Sequence, residues 1–136
     1  MTKKETDWLS EALGASEPAS TEVLTVFIPS ADEDGNSIPD QAAWVSKAAV
    51  LLAKIGGGVT IMPPVDGGWL APNGTIVWEK PILVYTYIRP DEFEERLPQL
   101  RSLLHSMGRE TKQGEIAVLF GDQFYRIREF DSEAAS

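Results

Sequence analysis

Few residues in this chain have the type and spacing that chemistry demands. His105 is the single histidine and cysteine is absent, so thiolate metal sites, Cys nucleophiles and disulfides are excluded, and any His-dependent triad would rest on His105 alone. His105 falls four residues after Arg101, which reads as the polar side of a helix near its C-terminus, where a cation is welcome. The run Asp32-Glu33-Asp34-Gly35-Asn36 gathers oxygens, but its glycine is misplaced for a calcium loop, which needs alternating ligands with Gly at the sixth position. It reads as a solvated turn. No metal and no cofactor are expected.

Glycines offer a second kind of chemistry. A phosphate-cradling loop must follow a strand and open a helix, so that backbone N–H groups aim at the anion. Here Gly56-Gly57-Gly58 follow a helical pattern and precede a strand-like one, the order of a helix stop and chain reversal. The segment VDGGWLAPNGTIVWEKP, residues 65 to 81, is different. It reads as a hairpin turning at Asn73-Gly74, and a two- or four-residue turn there would set Trp69 opposite Trp78. Glu79, flanked by Trp78 and close to Pro81, is the acid most worth following.

These groups need elements to hold them. VLTVFI (23 to 28) is a β-branched and aromatic run closed by Pro29 and reads as a strand. Ser37 and Asp40 have capping-box spacing, and Trp44, Ala48, Leu51 and Ile55 then recur at helical intervals. VTIM opens a second strand and ILVYTYI (82 to 88) is a third. Pro90 begins a helix through Met107, with Phe93, Leu97, Leu100, Leu104 and Met107 as its stripe and Pro98 bending it. EIAVLF (115 to 120) and QFYRI (123 to 127) close as a strand pair around Gly121-Asp122.

Strand, helix, strand, strand, helix, strand is the split βαβ order. The expected fold is therefore α+β, a ferredoxin-like βαββαβ sandwich with a mostly antiparallel sheet, two helices on one face and an extended hairpin between the second and third strands. Acidic, Ser/Ala/Glu-rich ends set the domain at residues 22 to 128, with flexible tails at 1 to 21 and 129 to 136. Within the first tail, Trp8, Leu9, Ala12 and Leu13 share one side of a short helical turn.

Function is bounded by charge and by apolar count. A net charge of −9 over 136 residues opposes phosphate backbones and anionic membranes, and no apolar run is long enough to span a bilayer. Neither nucleic acid nor membrane is expected as a partner, and a cytoplasmic location is the default for a start, MTKKETDW, without an apolar export segment. Both parities of the strands are apolar. The helices can shield one; the other offers Phe27, Tyr85 or Tyr87 where a solvated sheet should show polar groups.

The hairpin residues Gly67, Trp69, Asn73, Gly74, Ile76, Val77 and Glu79 match a G-x-W, then D/N-G-x-I-V-x-E, then apolar strand pattern. In this the chain resembles, over about residues 23 to 120, a bacterial family of small ferredoxin-like domains of unknown function. The resemblance implies the fold and assigns no activity. The plan is also similar to the dimeric α/β-barrel group, whose ferredoxin-like sheets pack face to face, an analogy of fold only.

Three functions are therefore expected as alternatives. The first is a non-catalytic binding or assembly module, a homodimer or a partner of another protein, working through the helix-free sheet face and the Trp hairpin. The second is a small-molecule-binding protein or small enzyme with a pocket beside Tyr85 and Glu79. The third is an acidic immunity or anti-defence protein that occupies a basic site. The candidate binding residues are Trp69, Trp78, Glu79, Tyr85, Tyr87 and Phe27.

Overall fold

The run Val23–Ile28 becomes β1, and its even-numbered residues Leu24, Val26 and Ile28 are buried to within 1%. That parity fixes the inside of the molecule. The structure, a computed structural model, describes residues 3–16 and 22–132. After an N-terminal helix α1 (Lys3–Leu13) and β1 come α2 (Gln41–Gly56), β2 (Thr60–Ile61), β3 (Gly67–Leu70), β4 (Ile76–Glu79), β5 (Ile82–Tyr87), α3 (Pro90–Glu95), α4 (Leu97–Glu110), β6 (Ile116–Phe120) and β7 (Gln123–Ile127).

Five strands form one antiparallel sheet in the order β2-β5-β1-β6-β7, and β3-β4 stand apart as a two-stranded arm. Setting β7 aside, the order is that of the ferredoxin-like sandwich, with each βαβ crossover skipping over one strand. Trp44, Ala48, Leu52 and Ile55 from α2 join Leu100, Leu104 and Met107 from α4 in one core with Leu24, Val26, Ile28, Val84, Ile116 and Val118. Both helices therefore lie on the same face, as the apolar periodicities required. α2 approaches β5 so closely that a Cβ on Gly56 would collide with Thr86 Oγ1 and the Tyr87 carbonyl. Gly57, with φ of 88°, then ends the helix in the left-handed region that glycine adopts without penalty.

Local chemistry departs from expectation in three places. Asp40, not Ser37, precedes α2, and its carboxylate accepts a hydrogen bond from Trp44 Nε1 at 3.1 Å instead of from a backbone N–H. Ser37 is drawn into a bridge with Ala31 that closes the acidic loop. The helix expected from Pro90 to Met107 is two helices, broken at Arg96 (φ −99°, ψ 9°), with Pro98 in the first turn of α4 where its missing N–H leaves no bond unmade. The third is the end of the chain. Residues expected within a flexible tail are held: Phe130 lies against Gly108, and Asp131 takes a two-pronged hydrogen bond from Arg101 at 2.7 and 2.9 Å.

Candidate functional site

The register leaves one sheet face without helices. Thr25 pairs with Tyr85, Phe27 with Leu83 and Leu119 with Phe124, so Val23, Thr25, Phe27, Leu83, Tyr85, Tyr87, Ala117, Leu119 and Phe124 point to the same side. Thr25 is buried, Tyr87 and Phe124 are exposed, and the rest are partly covered. Arg126 is the charged exception, at the β7 edge with its guanidinium 5.3 Å from the Phe124 ring centre. This face is apolar where a solvated antiparallel sheet would be polar.

The arm leans over one end of that face. Pro72-Asn73-Gly74 form its tip, Gly74 has φ of 89°, and Ala71 and Thr75 close the loop with an N–H to carbonyl bond of 2.8 Å. Asn73 Oδ1 accepts from both Thr75 N and Thr75 Oγ1, at 3.0 and 2.7 Å. This three-residue turn with a left-handed glycine shifts the pairing by one. Trp69 faces Val77 and Trp78 faces Gly68, so the expected Trp69–Trp78 pair does not form and the two rings lie on opposite sides of the arm. Gly68 is the reason the strands tolerate it: a Cβ there would lie 2.9 Å from the Trp78 ring.

Between arm and sheet is a cleft of about 390 Å³. Phe27, Leu83, Ala117 and Phe124 form its floor, Trp69, Val65 and Pro81 its wall, and Asp66, Glu79, Gln113 and Glu115 supply polar groups. Glu79 Oε1 accepts from Ser30 N at 3.0 Å, while Ser30 Oγ accepts from Lys80 N at 2.8 Å, so this acid ties the exit of β1 to the root of the arm. Asp66 meets Lys80 Nζ at 2.6 Å, and that contact lowers the Asp66 pKa. Glu115 accepts from Arg128 at 3.1 Å. Of the three carboxylates on the cleft walls, Asp66 is paired with Lys80 and Glu115 with Arg128, which leaves Glu79, held by the Ser30 N–H, as the acid that could face a cation beside the aromatic rings.

Of the residues singled out in the sequence, Trp69, Glu79 and Phe27 meet in this cleft. Tyr85 and Tyr87 share the face but lie further along β5, edge to face at 6.3 Å, beside a separate depression near Gly58 and Thr60. Trp78 is 67% exposed on the outer side of the arm. Phe124 and Leu83 were missing from that set, although the parity of QFYRI against EIAVLF could have found Phe124.

His105 is the clearest correction. It is buried, not solvated; its Nδ1 accepts a 2.8 Å bond from Asp131 N, and its ring meets Phe130 edge to face. The segment that covers it follows the last strand, beyond the reach of helical periodicity. The acidic loop is the turn it was expected to be: Asp32 Oδ1 accepts from Asp34 N and Asn36 N, both at 2.9 Å, and the bond from Asn36 is the main cause of a lowered Asp32 pKa. Among the described residues, no three His, Cys, Asp or Glu side chains are grouped to hold a metal ion, and no helix is long and apolar enough to cross a membrane.

No protein-family model matches the chain, and no curated protein matches it. The resemblance drawn from the hairpin motif is thereby narrowed to the fold. Solved structures do match. A phage SAM lyase in complex with S-methyl-5′-thioadenosine aligns with a TM-score of 0.57 and 13% identity, covering 82% of this chain and 92% of that one. Its apo form gives 0.56 and 12%, covering 87% and 98%. The divalent cation tolerance protein of Thermus thermophilus gives 0.41 and 14%, covering 84% and 88%. Identities this low speak to fold alone.

Proposed function

We propose that this protein is a binding module that assembles through the helix-free face of its sheet, with the arm framing that face. The observation that supports it most is the face itself: large apolar side chains over four adjacent strands, with Tyr87 61% and Phe124 50% exposed. Monomers seldom leave such a patch bare. A second copy placed sheet to sheet would cover it and would meet little charge there, since Arg126 stands at the edge. Sedimentation at about 100 μM, where a micromolar Kd leaves most chains paired, is expected to report a mass above that of one chain. Tyr87→Glu and Phe124→Glu should each return it to a monomer. A wild-type chain that stays monomeric at that concentration removes this reading.

The composition of the cleft favours a second reading, a small organic cation with a flat aromatic part held between Phe27, Trp69 and Phe124. The fold it shares with the phage SAM lyase suggests the first compound to try: S-adenosylmethionine, which carries a sulfonium and a planar base. The neutral S-methyl-5′-thioadenosine keeps the planar base and lacks both the sulfonium and the amino-acid tail. Tryptophan fluorescence should respond to the first compound more strongly than to the second, and Glu79→Gln should shrink the difference. Equal response to both, or none to either, ends this reading.

A further inference from the structure

A second apolar concavity lies on the opposite side of the sheet, where the helix layer stops short. β7 stands outside α4, and its inward-facing Tyr125 and Ile127 line a groove of about 800 Å³ with Phe93, Leu97, Leu104 and Phe120. Its rim is open: Leu97 is 43% and Tyr125 53% exposed. The same chain carries an amphipathic helix in need of a partner. On α1, Trp8, Leu9 and Leu13 are 62%, 44% and 70% exposed, and they fall on one side of the helix, with Ser10 and Glu11 on the other.

We infer that α1 is the helix that fills this groove, closing over β7 as a third member of the helix layer. Connection and size both favour it. Leu24, the first buried residue of β1, lines the groove, so the segment leading from α1 enters the domain at the groove's own end. The separation from Leu13 to Leu24 is 24 − 13 = 11 residues, which extend to roughly 36–40 Å at ~3.3–3.6 Å each, ample for the helix to turn back. An 11-residue helix is about 16 Å long, close to the ~17 Å of the five-residue β7. Tethering decides between this helix and that of another copy. A short linker holds α1 at an effective concentration near millimolar, above that of free chains in dilute solution. The inference does not depend on the proposed assembly, which uses the other face.

Because the chain has no cysteine, Ser10→Cys gives a unique site for a nitroxide label on the polar side of α1. In the full-length, isotope-labelled chain, the label should erase the amide signals of Leu97, Tyr125 and Ile127 and spare those of Phe27 and Tyr85. Adding Leu9→Glu should restore the lost signals, whereas adding Tyr87→Glu should leave them lost, which separates this result from the fate of the sheet-face assembly. Erasure on the helix-free face, or no erasure, overturns the inference. So does erasure seen only when spin-labelled chains without isotope are mixed with isotope-labelled chains without the spin label, since the occupant would then belong to a second copy.

Discussion

The two faces of the central sheet are built from the same kinds of side chain and end in different states. Toward the helices, Val26, Ile28 and Val84 have no exposure at all. Toward the other side, Phe27, Leu83 and Leu119 are only partly covered, and Tyr87 lies mostly in water. Apolar composition alone therefore does not specify a core. What separates the faces is the supply of covering elements: α2 and α4 shield one, while the arm shields only an end of the other. Uncovered apolar area on an otherwise well-packed molecule is where binding is to be sought.

Mutation can break this contrast. Ile28→Ala removes a side chain with no exposure and should cost about 2–5 kcal/mol in chemical denaturation, whereas Leu119→Ala on the other face should cost under about 1.5 kcal/mol in the isolated monomer. Equal losses would mean that both faces are core. Gly56→Ala tests the close approach on the covered side. Its Cβ meets the Tyr87 backbone, which cannot swing away as a side chain can, so a loss of roughly 1–3 kcal/mol is expected in thermal unfolding.

His105→Leu should cost less, roughly 1–2 kcal/mol, by taking the acceptor from Asp131 N; a loss confined to signals of residues 129–132 would show that only the end of the chain depends on it. The smallest effect concerns pH. The hydrogen bond from Arg101 holds Asp131 below its ordinary pKa of 3.8, so whatever stability the pair gives is present above that value and fades as pH falls through the lowered one. The Phe130 ring signals should shift in that acid range, and in Arg101→Gln the midpoint of that shift should rise toward 3.8. An unchanged response would assign the titration elsewhere.

Much of the architecture was legible because period and parity are local properties. Alternation in VLTVFI and ILVYTYI, helical recurrence around Trp44 and the stop at Gly56 to Gly58 were enough to give the ferredoxin-like order, and the apolar excess announced an uncovered face. Register was not legible in the same way. One residue in the length of the Asn73-Gly74 turn decides whether Trp69 and Trp78 meet, and turns of two, three or four residues all accept that dipeptide. The cleft was half visible for a similar reason: Trp69, Glu79 and Phe27 stand out by type, but Phe124 joins them only through pairing across β6. His105 misled because its cover, Phe130 and Asp131, comes from a segment whose composition resembles a tail.

The rims of the sheet are unequal as well. β2 contributes two residues to one border, too short a ladder to template another chain, whereas β7 presents five at the other. Within the five-stranded sheet, strand addition is therefore favoured at the β7 border, and a polar substitution at Phe124, whose side chain projects from the helix-free face of that strand, would guard this border against it.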